Sequence, residues 1–276
     1  MPDLKKYQYT LKTLSPLIIS PRESNAYYLK KQDAIRVGKN DIQIIYPFYQ
    51  YGAYEYYDPE QTQYYIPGSS IKGGFKSNRD IPDDATSLLV DDIGVNREDI
   101  TLGALKKLQH IPTKERTMAQ QKTQKTRKAM KLEDFFPNVA VEMLMSGRNY
   151  SGELYCNGDI RFMIKQAEEQ TRKKLNDFLV RLNEIFTMDK KEVSGEALEI
   201  EYGTLEMLSG VKQKINDLLL QSSDQTSHHC RLIIGGHKGK ILSGITSDQE
   251  PGSIYLDSDV NLPYGLVDLY FASEVF

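Results

Sequence analysis

An extended aromatic run meets a Pro-Gly turn and then a short cationic helix at residues 64–79, Tyr-Tyr-Ile-Pro-Gly-Ser-Ser-Ile-Lys-Gly-Gly-Phe-Lys-Ser-Asn-Arg. This segment constrains the fold more than any other, because it asks for a strand that feeds directly into a helix start. Ser69 and Ser70 stand where a cap is expected, since a hydroxyl there accepts a bond from a free backbone N–H. Lys72, Lys76 and Arg79 follow on the helix. The remaining N–H groups and the helix dipole favour an anion, most simply a phosphate, and Lys72 adds a full charge. A capped surface helix with scattered lysines is the plain alternative.

Around this segment the pattern alternates between strand and helix. Tyr7–Ile19 reads as a first strand, with Pro16 marking a bend or an edge. The Tyr-rich stretch 27–57 holds short strand-like pieces such as Ile42–Tyr46. Leu88–Asp92 reads as a short strand closing in an acidic turn. Leu102, Leu105 and Leu108 suggest one short helix over 98–109. Val139–Met145 alternates as a strand. Tyr150–Ile164 reads as another strand or a short hairpin broken at Asn157-Gly158. Residues 166–187 form the clearest helix, with Leu175, Phe178, Leu179, Leu182, Ile185 and Phe186 on one face. A second amphipathic helix fits 204–220, and strands follow at Leu232–Ile234 and Leu266–Phe271. Strand, helix, paired strands, helix, strand is the order of an α+β, ferredoxin-like (RRM-like) unit with insertions. With no repeat and no convincing linker, residues 1–276 read as one domain, with a basic insertion near 111–131 and a helical region near 166–220.

Net charge is −3 and two cysteines, Cys156 and Cys230, form no framework pattern. A generally basic nucleic-acid binder is therefore excluded, and such a function must rest on local patches. Reduced cysteines point to the cytoplasm, and the start of the chain lacks the apolar core of a signal peptide. No apolar run is long enough for a membrane span. Eighteen tyrosines stand against no tryptophan, a usage that suits strands, interfaces and base stacking alike.

The strongest local patch is residues 111–131, with Lys114, Arg116, Lys122, Lys125, Arg127, Lys128 and Lys131 opposed only by Glu115. So few apolar residues cannot build a core, and the segment reads as a protruding hairpin or mobile loop. Long cations of one sign beside a polyanion give salt-dependent binding; a solvated loop is the alternative. In Ile234-Gly235-Gly236-His237-Lys238-Gly239-Lys240, glycines after a strand let backbone approach phosphate, and two lysines supply charge. The spacing fits neither a Walker loop nor a dinucleotide fingerprint, and an ordinary turn is the default. His228, His229, Cys230 and His237 are the only cluster of soft ligands, but their spacing matches no standard zinc site, and no metal or other cofactor is expected. An acid–base role for a histidine here stays open. Asp83-Asp84 and Asp91-Asp92 are paired carboxylates of the kind common in turns.

Ile66–Gly73 closely resembles the helix-opening signature of the RAMP superfamily, CRISPR-associated proteins with an RRM-like fold that bind CRISPR RNA. Leu14–Ser20 (Leu-Ser-Pro-Leu-Ile-Ile-Ser) resembles the way many members open. Ile234–Gly239 resembles, more distantly, the glycine-rich loop that helps them hold RNA. Size and the Tyr-rich connection look most like the type III-A (Csm) effector subunit near the 3′ end of the CRISPR RNA, although Gly74-Phe75-Lys76 replaces the usual continuation. The resemblance implies a RAMP fold and an RNA-binding, antiviral subunit with CRISPR RNA and other type III effector subunits as partners; contact with target RNA stays open. Ser69, Ser70, Lys72 and Lys76 would grip phosphate; Gly235, Gly236, His237, Lys238, Gly239 and Lys240 would line the same groove. Lys122, Lys125, Arg127, Lys128 and Lys131 would reach along a strand. Two rivals remain open: a metal-dependent RNA endonuclease using Asp33, or His237 as acid–base, and a protein-interaction module without nucleic acid.

Overall fold

The structure, a computed structural model, describes residues 4–21, 25–76, 88–113, 127–188, 192–193, 196–221, 228–244 and 253–272. The chain opens with β1 (Lys5–Thr13), followed by the short strands β2 (Tyr27–Tyr28), β3 (Ile35–Val37), β4 (Asn40–Ile42) and β5 (Ile44–Tyr46). β6 (Tyr64–Ile66) runs into α1 (Gly68–Phe75). Seven strands come next: β7 (Leu88–Val90), β8 (Ile93–Val95), β9 (Ile100–Gly103), β10 (Lys106–Thr113), β11 (Arg127–Asp134), β12 (Val139–Leu144) and β13 (Asn149–Cys156). The last part holds α2 (Ile160–Met188), β14 (Glu192–Val193), β15 (Glu196–Ile200), α3 (Tyr202–Gln221), β16 (His229–Ile233), α4 (Gly239–Leu242) and β17 (Leu266–Phe271).

The class is α+β. The main sheet has five strands in the order β16-β17-β1-β13-β7, every neighbouring pair antiparallel. Along β1 the side chains alternate: Tyr7, Tyr9, Leu11 and Thr13 are buried, while Lys6, Gln8, Thr10 and Lys12 are exposed. That period of two places one row on the core face. The row packs with Ile71 and Phe75 of α1, Ile160, Ile164 and Ala167 of α2, and Leu232 and Leu269 of the partner strands.

A second core forms where the C-terminal half of α2 meets α3. Leu175, Phe178, Leu182 and Ile185 pack with Leu208, Val211 and Ile215, and with Ile233 and Leu266 of the main sheet. Ile233 and Leu266 are paired across β16 and β17, next to Leu232 and Val267, which belong to the first core. Successive strand residues point to opposite faces, so these two strands serve both cores. α2 reaches both because it is 29 residues long and buries apolar residues at helical spacing in two stretches, Ile160, Ile164 and Ala167 in the first core and Leu175, Phe178, Leu182 and Ile185 in the second, and each fully buried Leu contributes about 1.5–3 kcal/mol. Asp159 fixes the start of α2, its carboxylate accepting the Arg161 N–H at 2.9 Å.

Several expectations need correction. Residues 98–109 are not a helix: a 3-10 turn at Arg97–Asp99 leads into β9 and β10. Leu102 lies in β9 opposite Glu142, Leu105 is buried with Ile18 and Tyr264, and Leu108 borders the second core. Their spacing imitates a helix face, but each leucine serves a different cluster. The first strand ends at Thr13 rather than Ile19; Pro16 marks the departure, its carbonyl accepting the Gly265 N–H at 3.0 Å. After Asn157-Gly158 the chain enters α2 rather than a second hairpin strand.

Candidate nucleic-acid interface

The helix after β6 begins two or three residues earlier than a cap at Ser69 or Ser70 would set it. Pro67 is the N-cap, and its own side chain makes no capping bond. Ser69 and Ser70 therefore sit within the first turn, which corrects the expected cap. The Gly68 N–H donates to Asp92 Oδ1 at 2.7 Å, and the Ser70 N–H to the Pro67 carbonyl at 2.9 Å. A carboxylate of the chain itself thus sits at the positive end of the helix, the place first expected to hold phosphate. Gly68 is dictated by close approach: an added Cβ would lie 2.0 Å from the Val90 carbonyl oxygen. Lys72 is half-buried, with no ion-pair partner among the described residues.

α1 rests on the strand that leads to the glycine-rich loop. A Cβ at Gly74 would lie 2.9 Å from Ile234 Cγ2 and 3.1 Å from Leu232 Cδ1. Gly74 therefore stands where a larger residue would push the helix off β16. The loop joins the segment after β1, because the Gly236 N–H donates to the Ile18 carbonyl at 2.7 Å. The relay continues: the Tyr49 N–H donates to Ile19, and the Tyr65 N–H to Tyr49, both at 3.1 Å. Residues 14–20, 66–73 and 234–239, distant in sequence, are neighbours in the fold.

An aromatic stack borders this region. Tyr51 lies on Tyr65 with ring centroids 4.2 Å apart and planes 15° from parallel, and Tyr49 meets Tyr65 edge-on. Tyr51 is 53% exposed. The sequence offers many tyrosines and no way to choose these three; only the pairing of β6 with the loop at Tyr49–Tyr51 does so.

The glycine-rich loop uses left-handed backbone at Gly235 (φ 80°), His237 (φ 53°) and Gly239 (φ 77°). It lines a pocket of about 270 Å³ together with Ser243, Ser253 and Tyr255. His237 faces the Tyr255 ring edge-on at 6.0 Å. Lys238 donates to the Ile233 carbonyl at 3.0 Å, and burial together with the nearby Lys174 pushes its pKa down to about 8. Asp33 does not join this pocket; it is exposed on the 3-10 turn Lys31–Asp33.

The soft-ligand cluster is dispersed by strand alternation. The His229 ring lies 4.7 Å from that of Tyr270, and its Nε2 is 3.1 Å from Asp268 Oδ1. Cys230 faces the first core, where burial, with Glu168 and Asp268 nearby, pushes its thiol pKa well up. Among the described residues, no group of three or more His, Cys, Asp or Glu gathers as for a metal.

The basic segment is flanked by an antiparallel ladder running from Lys106↔Asp134 to Thr113↔Arg127. Lys131 is tied to Glu201 at 2.9 Å. Lys122 and Lys125 lie outside the described residues, as do Arg79 and Asp83-Asp84, and of the Arg127 and Lys128 side chains nothing is described. No helix among the described residues is long and apolar enough to cross a membrane. No protein-family model and no curated protein matches this chain.

Proposed function

We propose that this chain is an RNA-binding subunit of a type III CRISPR effector ribonucleoprotein, with a ferredoxin-like RAMP fold and a cytoplasmic site of action. The observation that carries the reading is the convergence of 14–20, 66–73 and 234–239, the three segments whose wording resembles RAMP proteins. The sheet supports the fold assignment: the strand after α1 and the strand before α2 pair at one flank, β1 is central, and the last strand lies on its other side. That is the arrangement expected of a ferredoxin-like unit, with β16 added at the edge.

In this reading the grip on phosphate falls to Lys72 and the glycine-rich loop, because Asp92 already occupies the helix start. Tyr51 and Tyr65 offer a stacking surface for unpaired bases. Lys131 and the hairpin it belongs to extend the contact along the strand.

The test is purification of the tagged chain from its native host, followed by sequencing of any RNA that accompanies it. Guides derived from CRISPR repeats, sharing a common end, are the expected result. A preparation that retains its protein partners but carries no enriched RNA would overturn the reading and leave the interaction module ahead. In titrations with single-stranded RNA, Lys72→Ala is expected to flatten the plot of log K against log salt by about 0.7, the loss of one phosphate contact. An unchanged slope removes Lys72 from the interface.

A further inference from the structure

Beyond the glycine-rich loop a line of rings continues across the surface. The His237 ring meets Tyr255 edge-on at 6.0 Å, and Tyr255 meets Phe135 edge-on at 5.8 Å. Phe135 lies against Phe136 with ring centroids 4.1 Å apart. The Lys107 ammonium stands 4.5 Å from the Phe135 centroid and 5.8 Å from that of Tyr255, within cation–π reach of both. Backbone bonds hold the arrangement: the Phe135 N–H donates to the Leu105 carbonyl at 2.7 Å, the Leu256 N–H donates to the Lys106 carbonyl at 3.3 Å, and Lys107 is bridged to Tyr255. Phe135 and Tyr255 rest on the buried cluster of Ile18, Leu105 and Tyr264. The ridge therefore runs, on a fixed footing, from the pocket of the glycine-rich loop to the base of the β10–β11 hairpin.

A lone exposed phenylalanine is ordinary. Phe136 is 51% exposed, but it ends a line of rings that begins in a pocket. Stacking on such rings tolerates any sequence, because every base has a π face, and a cation among the rings serves the backbone phosphates. The Lys107 ammonium lies over the rings although Glu133 stands opposite it across the ladder. An apolar protein face laid on the ridge would bury that ammonium without an anion, at a cost; a phosphate beside it is a partner. Duplex RNA keeps its bases stacked inward and presents phosphates and hydroxyls, so the rings suit unpaired nucleotides.

We infer that an unpaired RNA strand leaves the glycine-rich loop along this ridge, with bases against Tyr255, Phe135 and Phe136 and a phosphate on Lys107, and so reaches the basic hairpin. The inference rests on the RNA-binding reading and adds the course of the strand.

The experiment is fluorescence anisotropy of the intact chain with a labelled oligouridylate across a salt series, and with the same strand annealed to its complement. Phe136→Leu, shown folded by circular dichroism, keeps the apolar bulk and removes the ring. It is expected to weaken single-strand binding about 5- to 10-fold and to leave the slope of log K against log salt unchanged, since no phosphate contact is lost. On the duplex, whose bases are unavailable, the same substitution is expected to change nothing. Phe136→Tyr restores a ring and is expected to bind as the parent chain does. Lys107→Ala is expected to lower the affinity and to flatten the slope by about 0.7. An equal loss on single strand and duplex, or a Phe136→Tyr variant as weak as Phe136→Leu, would overturn the inference. If the parent chain binds oligouridylate and Phe136→Leu binds it equally well, the ridge alone is overturned. If the parent chain binds neither strand nor duplex, the RNA-binding reading falls together with it.

Discussion

Gly68 and Gly73 stand five residues apart in one helix and obey different constraints. A Cβ at Gly68 collides with the Val90 carbonyl, whereas one at Gly73 meets nothing within 4 Å. Gly68→Ala is expected to cost about 2–3 kcal/mol through a forced backbone shift, and Gly73→Ala to add about 0.5–1 kcal/mol through helix propensity. Urea unfolding of the two variants measures both. Asp268 offers a test by pH. Burial alone would raise its pKa, but His229 and Arg231, 3.1 and 2.9 Å away, outweigh that and hold it below the usual range. A folded-state value below the unfolded one gives stability that is present above about pH 4 and lost as pH falls further. Asp268→Asn should therefore flatten the decline of Tm below that pH. At neutral pH it should cost about 3–5 kcal/mol, because Arg231 is left buried without its anion. Asp268 did not stand out in the sequence. A single acidic residue in an apolar strand is visible there, but its partners come from another element: His229 and Arg231 from β16.

At the scale of elements, long helices and strands with one partner face were legible. The second half of α2 was read at its true spacing because its stripe depends only on helical geometry. Leu182 is fully buried in the second core, and Leu182→Ala is expected to cost about 2–5 kcal/mol, measured as a lower denaturation midpoint. The failure over 98–109 has a different cause. Leu102 and Leu108 stand in strands, and Leu105 in the link between them, because β12 supplies a ladder to β9, with Leu102 opposite Glu142 and Ile100 opposite Leu144. A ladder to a strand some forty residues ahead outweighs a local pattern with no cap to defend it. The start of α1 was misplaced by two or three residues for a similar reason: Asp92, beyond β7, took the place expected of Ser69 or Ser70.

At the scale of the molecule, α2, β16 and β17 each contribute to both cores. Loss of either core removes support from the other, so urea transitions followed by far-ultraviolet circular dichroism and by tyrosine fluorescence are expected to coincide. Two separate midpoints would show that the cores unfold independently. The sequence by itself determined the alternation of β1, the stripe of α2, the strand-turn-helix at 64–75 and the absence of a general positive charge, because each follows from spacing or composition within one stretch. Tertiary structure alone decided which tyrosines stack in the open, which carboxylate caps α1, and that residues 14–20, 66–73 and 234–239 meet. Those outcomes depend on hydrogen bonds and contacts between segments tens to hundreds of residues apart, and no local pattern encodes the partner at the far end.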